Sequence, residues 1–362
     1  MAMTHKDRIL AAVRGEWLDK PCYTAWGPHY SFEEQNAKDL AEALIGFQKA
    51  QDFDLIKHMP SGMYFTEAFG QQIPAATNMD FQAWMSVSKF VVNDPSDWLK
   101  ITPKKILGNS LAREVECVKR INDHFHGEVP IIATVFSPFI WMGEMTGGFF
   151  RQDLIVDQFR NHEAECRKGL EVVEETNRML MEAFVDAGAA GFFYGVQCGM
   201  ARVMGKEMFD AYEKAPSVRC LEAVKDKTYF TMIHMCNGRR RECDWFVDYP
   251  SQALNWADTH NPTHRSFAEM REISDKVLVG GLNHHAENVG YSERYTPNDF
   301  TGADRDEIKS RIRGRVESAL EQAGNKVVIS GGCGWDFNSH HRFGIWHEVM
   351  EEIAEERAKS RK

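Results

Sequence analysis

Tyr229-Phe-Thr-Met-Ile-His-Met-Cys-Asn-Gly238 decides how the chain reads. It begins as an apolar, β-rich run and ends on a His-x-Cys pair followed by a glycine. Side chains two apart on a strand point to the same face, so His234 and Cys236 project together. They stand at the end of the run, where α/β folds build their ligand sites. An imidazole and a thiol aimed at one point are half of a zinc site, since Zn²⁺ takes both ligand types. In a chain with 14 histidines and 8 cysteines, one such pair alone is weak. A second stretch gives it weight. Val327-Val-Ile-Ser-Gly-Gly-Cys-Gly334 is another apolar run breaking into glycines, with Cys333 just past its end. The alternative, a core histidine with two inert buried cysteines, stays open at this point.

Apolar runs of this kind recur. Residues 21–26, 53–58, 130–136, 191–195, 229–234, 252–256, 276–280 and 326–330 each read as a short strand. Helical patterns separate them. Thr4 and Asp7 form a capping box for a helix with Ile9, Leu10 and Val13 on one stripe, ended by Gly15. Ser31 and Glu34 cap a second, with Leu40, Leu44 and Phe47 at helical spacing, and Leu111, Val115, Val118 and Ile121 mark a third. A long helical region reaches about residue 189, and further helices are read at 206–225, 304–323 and 348–362. Strands alternating with helices predict a parallel (β/α)₈ barrel, here one domain over 1–362. Residues 59–107, rich in Met, Phe and Trp with no clean helical period, are expected to be an inserted hairpin and lid over the barrel mouth.

Composition limits what such a site can serve. The chain has 362 residues, 43% of them hydrophobic, enough for a large core. A net charge of −10 argues against nucleic acid, which selects basic surfaces. No run of apolar residues is long enough to span a membrane, and the polar start Met1-Ala-Met-Thr-His-Lys-Asp7 lacks a signal peptide's apolar stretch, so a cytoplasmic protein is expected. The cysteines are scattered without a framework spacing. In a reducing compartment they serve as core residues, metal ligands or nucleophiles.

Three segments carry a family resemblance: Asp7-Arg-Ile-Leu-Ala-Ala-Val-Arg-Gly15, Asp54-Leu-Ile-Lys-His-Met-Pro60 with Glu67-Ala-Phe-Gly70, and the closing Gly332-Cys-Gly334. Together they resemble the uroporphyrinogen decarboxylase superfamily, which implies the same barrel. That superfamily has two chemical branches. One decarboxylates a tetra-acidic porphyrinogen without metal. The other, of methylcobamide:coenzyme M methyltransferases and epoxyalkane:coenzyme M transferase, holds zinc on a His-x-Cys…Cys set and activates a thiol. The decarboxylases carry an arginine pair after the first strand to hold substrate carboxylates. Here the matching stretch is Trp26-Gly-Pro-His-Tyr30, with no arginine. Asp54 matches the family's catalytic aspartate but alone cannot grip a polyanion. His234, Cys236 and Cys333 all match the zinc motif. The resemblance therefore implies a zinc-dependent alkyltransferase, with coenzyme M as the expected thiol.

Zinc held by one neutral imidazole and two thiolates is neutral overall, and a thiol in its open position loses its proton. Asp258, just past the sixth strand, is a candidate for that position or for contact with substrate, and equally a helix cap. Arg239, Arg240 and Arg241 are candidates to clamp a sulfonate, or else a solvated helix start. His284, His285, His340 and His341 are candidate acids that would protonate an alkoxide leaving from an epoxide; a corrinoid-borne methyl group needs none. The expectation leans to the epoxide, with methyl transfer from a corrinoid protein, a metal-free decarboxylase centred on Asp54, and a non-catalytic metal-containing binding protein as alternatives. The partners implied are a small thiol and a small electrophile. No nucleic acid or membrane is involved, and an oligomer is compatible.

Overall fold

The computed structural model describes residues 2–27, 33–73, 87–148, 151, 153–236, 240–259, 264–284, 298–335 and 337–360, apart from the side chains of residues 240, 241, 337 and 338. Eight strands form one sheet: β1 (Cys22–Tyr23), β2 (Ile56–Lys57), β3 (Ile131–Phe136), β4 (Gly191–Gln197), β5 (Met232–Cys236), β6 (Ala253–Asn255), β7 (Val277–Leu282) and β8 (Val327–Gly331). All pairings are parallel, in the order β1-β8-β7-β6-β5-β4-β3-β2. First and last strands being neighbours is the cyclic order of a (β/α)₈ barrel. The two remaining edges meet: the Asp54 amide donates to the Tyr23 carbonyl at 3.1 Å, and the Thr24 hydroxyl donates to the Leu55 carbonyl at 2.7 Å. All eight strands fall where the apolar runs predict them. β5 extends to Cys236, so His234 and Cys236 both lie within the strand.

The helices between them are α1 (His5–Arg14), α2 (Ala37–Gln51), α3 (Tyr64–Ala68), α4 (Ser110–Phe125), α5 (Pro138–Gly147), α6 (Asp153–Asn161) and α7 (Glu163–Asp186) in the first half. The second half adds α8 (Cys198–Met204), α9 (Lys206–Met208), α10 (Ala215–Glu222), α11 (Arg240–Cys243), α12 (Phe267–Arg271), α13 (Arg305–Ala323) and α14 (Phe343–Ser360). The Thr4–Asp7 capping box closes α1, and Gly15, at φ 71°, ends it in the left-handed conformation that glycine adopts freely. α2 starts later than expected. Its cap is Asn36, whose side chain accepts from the Lys38 and Asp39 amides, while the expected cap Ser31 lies outside the described residues. The long region before residue 189 is three helices rather than one. Among the described residues no helix is long and apolar enough to cross a membrane.

Within the 59–107 excursion, α3 packs on α5, with Phe65 stacked on Trp141 at 4.6 Å. Gln72 and Lys89 form an antiparallel bridge, and residues 74–86 lie outside the described set. Further on, Trp98 is buried beside Gly169 of α7, where an added Cβ would come within 2.4 Å of its ring. The later half of the excursion therefore lies against the outer helices.

Side-chain direction along β2 sets two later roles. His58 turns outward, its Nε2 3.0 Å from Glu114 on α4, so Lys57 turns into the barrel. Asp54 stands before β2, at the end of the barrel opposite Cys236 and Cys333. It is fully buried, accepting from Arg8 at 2.9 Å and from the Tyr23 amide at 3.1 Å, with His5 Nδ1 at 3.1 Å. Arg8 also holds Asp19, at 2.7 Å. Asp54 thus locks α1 onto the barrel floor. Residues on the floor of such a barrel commonly serve stability, and this is where Asp54 stands.

Removing one partner of a buried ion pair leaves the other charge uncompensated. Asp54→Ala should therefore lose roughly 3 kcal/mol of stability in urea denaturation, while the circular dichroism of the folded fraction stays that of the parent.

Candidate metal centre

The centre is built at the ends of β5 and β8. Alternation turns Ile233 and Met235 one way and His234 and Cys236 the other. His234 is buried, and Cys236 and Cys333 are half-buried. The Sγ atoms of both cysteines and a ring nitrogen of His234 all lie within 4.8 Å of one another. The structure thus brings together the three residues that the sequence singles out.

Two glycines let β8 deliver its cysteine. A Cβ on Gly332 would lie 2.3 Å from the Ala257 Cα and 2.7 Å from the Trp256 carbonyl carbon, so the backbone leaving β6 passes directly against it. A Cβ on Gly331 would meet the His284 side chain at 2.8 Å. Only glycine allows both approaches, and Cys333 follows at once.

The chemistry of the donor set suits a metal. Asn255, fully buried on β6, donates both amide hydrogens, to the Val279 carbonyl at 2.9 Å and the Gly331 carbonyl at 3.1 Å. Its oxygen must then face His234, whose Nδ1 lies 2.6 Å away. An amide oxygen only accepts, so Nδ1 carries the proton and Nε2 is left with a free lone pair. Orientation of a ligating imidazole by such an acceptor is the usual outer support of a metal site. The neighbouring Cys236, then His234 and His284, hold the Cys333 thiol well below its ordinary value, against the burial that would raise it.

His284 has the opposite tautomer. The Gly332 amide donates to its Nδ1 at 3.0 Å, so the neutral ring carries its proton on Nε2. It is buried beside Cys333 and braced by Asn298, which donates to its carbonyl at 3.1 Å. The other candidate acids are elsewhere. His340 packs between Phe47 and Phe343, His341 is exposed beside Arg342, and His285 lies outside the described residues. Asp258 is not part of the group of three. Its Oδ1 accepts from the Gly281 amide at 2.9 Å, and enclosure of the carboxyl pushes it up to about 7. Arg239 lies outside the described residues, as do the side chains of Arg240 and Arg241.

Two residues of this region escape sequence reasoning. Asn255 looks like the end of an apolar run, and its only signal is an amide among buried aliphatics. Lys57 carries a stronger signal, a lysine inside the apolar run Leu55–His58. Its ammonium lies 4.4 Å over the Phe193 ring, which stacks at 4.5 Å on His234.

A parallel barrel with this pocket is matched by the family model for uroporphyrinogen decarboxylase (URO-D) over residues 4–286, and the chain belongs to that family. The match includes His234 and Cys236 and ends before Cys333. Among its relatives, the methylcobamide:CoM methyltransferase MtbA of Methanosarcina acetivorans is 23% identical over 254 residues, covering 65% of this chain and 70% of its own length. The MtbA of Methanosarcina mazei is 22% identical over the same extents. A solved methyltransferase from Methanosarcina mazei superposes with a TM-score of 0.71 at 17% identity, over 97% of this chain and 99% of its own. A B12-independent methionine synthase from Shewanella sp. W3-18-1 reaches 0.57 at 13% identity, over 95% of this chain and 99% of its own. These structural likenesses speak for the fold.

Two substitutions probe the donor set without touching a donor. Asn255→Leu removes the acceptor that orients His234 and, where the three donors hold zinc, should weaken that binding by about 10–100-fold in a chelator competition. Gly332→Ala forces a Cβ into β6 backbone and should lower both the melting temperature and zinc retention, because rigid backbone cannot give way.

Proposed function

We propose that the protein is a zinc-dependent transferase that moves a methyl group from a corrinoid to a small thiol. The observation that carries this reading is the convergence of His234, Cys236 and Cys333 within 4.8 Å at the strand ends. The relatedness to methylcobamide:CoM methyltransferases supports the methyl donor and makes coenzyme M the first thiol to test.

His234 through Nε2 and the two cysteine sulfurs would hold the metal, which when bound supplies a fourth, open position where a thiol sheds its proton. Free thiols near pKa ~8.5 are mostly protonated and weakly nucleophilic at neutral pH, so this is the step that needs help. The chain's own contribution is positioning. Asn255 fixes the His234 tautomer, and Gly331–Gly332 bring Cys333 into range. The earlier part of the 59–107 excursion would cover the mouth; the packing of α3 on α5, which begins directly after β3, supports that part of the reading. The corrinoid would arrive on a carrier protein.

The epoxide remains a second reading, and His284 is the observation that favours it. It is the one candidate acid placed beside a metal ligand among the described residues, and its Nε2–H is a donor that would hydrogen-bond to oxygen as negative charge develops there. The decarboxylase reading loses its centre, since Asp54 is committed to Arg8 on the floor.

The zinc-loaded protein should contain about one metal per chain and methylate coenzyme M from methylcobalamin. Cys236→Ala and Cys333→Ala should abolish both properties while circular dichroism stays unchanged. Consumption of propylene oxide, with no turnover of methylcobalamin, would reverse the choice of electrophile. Full zinc content in Cys333→Ala would remove the metal assignment itself.

A further inference from the structure

Lys57 is an enclosed cation with no carboxylate paired to it among the described residues. It is 8% exposed and turned into the barrel, because His58 takes the outward direction toward Glu114. Its Nζ touches the Met59 sulfur at 3.0 Å, the His58 carbonyl at 3.4 Å and the face of Phe193 at 4.4 Å. The opposite charges it feels are Cys333 and then Glu34, and its ammonium makes no salt bridge with Glu34. A thioether, one long hydrogen bond and an aromatic face compensate a desolvated ammonium poorly, since taking such an ion out of water costs several kcal/mol. Burial accordingly pulls Lys57 down to about 7. The ring it covers is also the ring stacked on His234 at 4.5 Å. One phenyl group thus contacts both the cation and a metal ligand, which leaves the span of a short carbon chain between them.

We propose that Lys57 is the docking point for an anionic tail, a sulfonate or carboxylate, on the thiol whose sulfur is delivered beside His234, Cys236 and Cys333. This rests on the thiol-binding reading above. The tail's anion supplies the ion pair that no described residue gives Lys57, and Phe193 is the wall along which the connecting carbons lie. Selectivity follows from the same arrangement. A thiol with a neutral tail reaches the metal but leaves the buried ammonium unpaired, whereas an anionic one satisfies both ends at once. The rival role is a counter-ion to Cys333, which would be indifferent to the tail.

Calorimetry on the zinc-loaded full chain separates the two, using 2-mercaptoethanesulfonate, 3-mercaptopropionate and 2-mercaptoethanol with the parent protein, Lys57→Met and Lys57→Arg. In Lys57→Met the sulfonate and carboxylate thiols should bind about 10–100-fold more weakly, as expected for a lost charge-assisted contact, and mercaptoethanol as in the parent. Lys57→Arg should recover part of the preference for the anionic thiols. A preference for one of the two anionic thiols identifies the tail. An equal loss for all three thiols, or none, overturns the proposal. Should the chain take up no zinc, the proposed function falls, but Lys57 is still decided by ethanesulfonate, which has no thiol. The metal-free parent must bind it more tightly than metal-free Lys57→Met, and equal binding refutes the assignment.

Discussion

One buried amide holds the site together. Asn255 reaches from β6 to the carbonyls of β7 and β8 and to the imidazole of β5, so four consecutive strands share a single side chain. Parallel strands otherwise meet only through backbone ladders, which fix spacing but not the rotation of a ring. The two carbonyls consume both amide hydrogens, and that choice propagates: the oxygen faces His234, the proton settles on Nδ1, and the other nitrogen points away with its lone pair. Every chemical property claimed for the centre depends on this sequence of constraints. The same amide draws the end of β8 toward β6, where Gly332 has no side chain to resist.

The barrel separates its duties by end. At the floor, Asp54, Arg8 and Asp19 form a closed ionic group in which each charge has a partner, and the result is a clasp between α1 and the sheet. At the mouth the polar groups are left less complete. Among the described residues no carboxylate pairs with Lys57, and the thiols of Cys236 and Cys333 crowd one another. A buried charge without a partner is costly in a purely structural setting. Beside the ligand cluster, such a charge is the physical signature of a surface shaped for something that arrives from outside.

Much of this was legible in the chain, and the division between what was and what was not is itself physical. Strand and helix alternation, the α1 capping box and the His-x-Cys pair depend on neighbours a few residues apart, so periodicity reports them. Cys333 was legible because the glycines before it are a local signature. Asn255 was not, since its three partners lie on three other strands. Lys57 hid for a related reason: in a two-residue strand, direction is set by what His58 finds outside. The candidate acids show the limit most plainly. Four histidines in two similar His-His pairs could not be ranked, and only packing separates His284, against Cys333, from His340, among aromatic rings. That Asp54 lies on the floor was not legible, because a residue before a strand and one after it look alike until the floor and mouth are distinguished.

The donors from β5 and β8 have a consequence for assembly. Most of the second half of the polypeptide separates Cys236 from Cys333, and the chain between them must be threaded into three strands and their helices before the sulfurs meet. A nascent chain emerging from the ribosome therefore exposes an incomplete chelate, one imidazole and one thiol, until its final strand is released. Ions met during synthesis find only a loose, exchangeable pair. The three donors converge with closure of the sheet, so selection of a metal there would belong to the finished fold, and a colour-changing ion such as cobalt would then serve as an optical clock for the last step of folding.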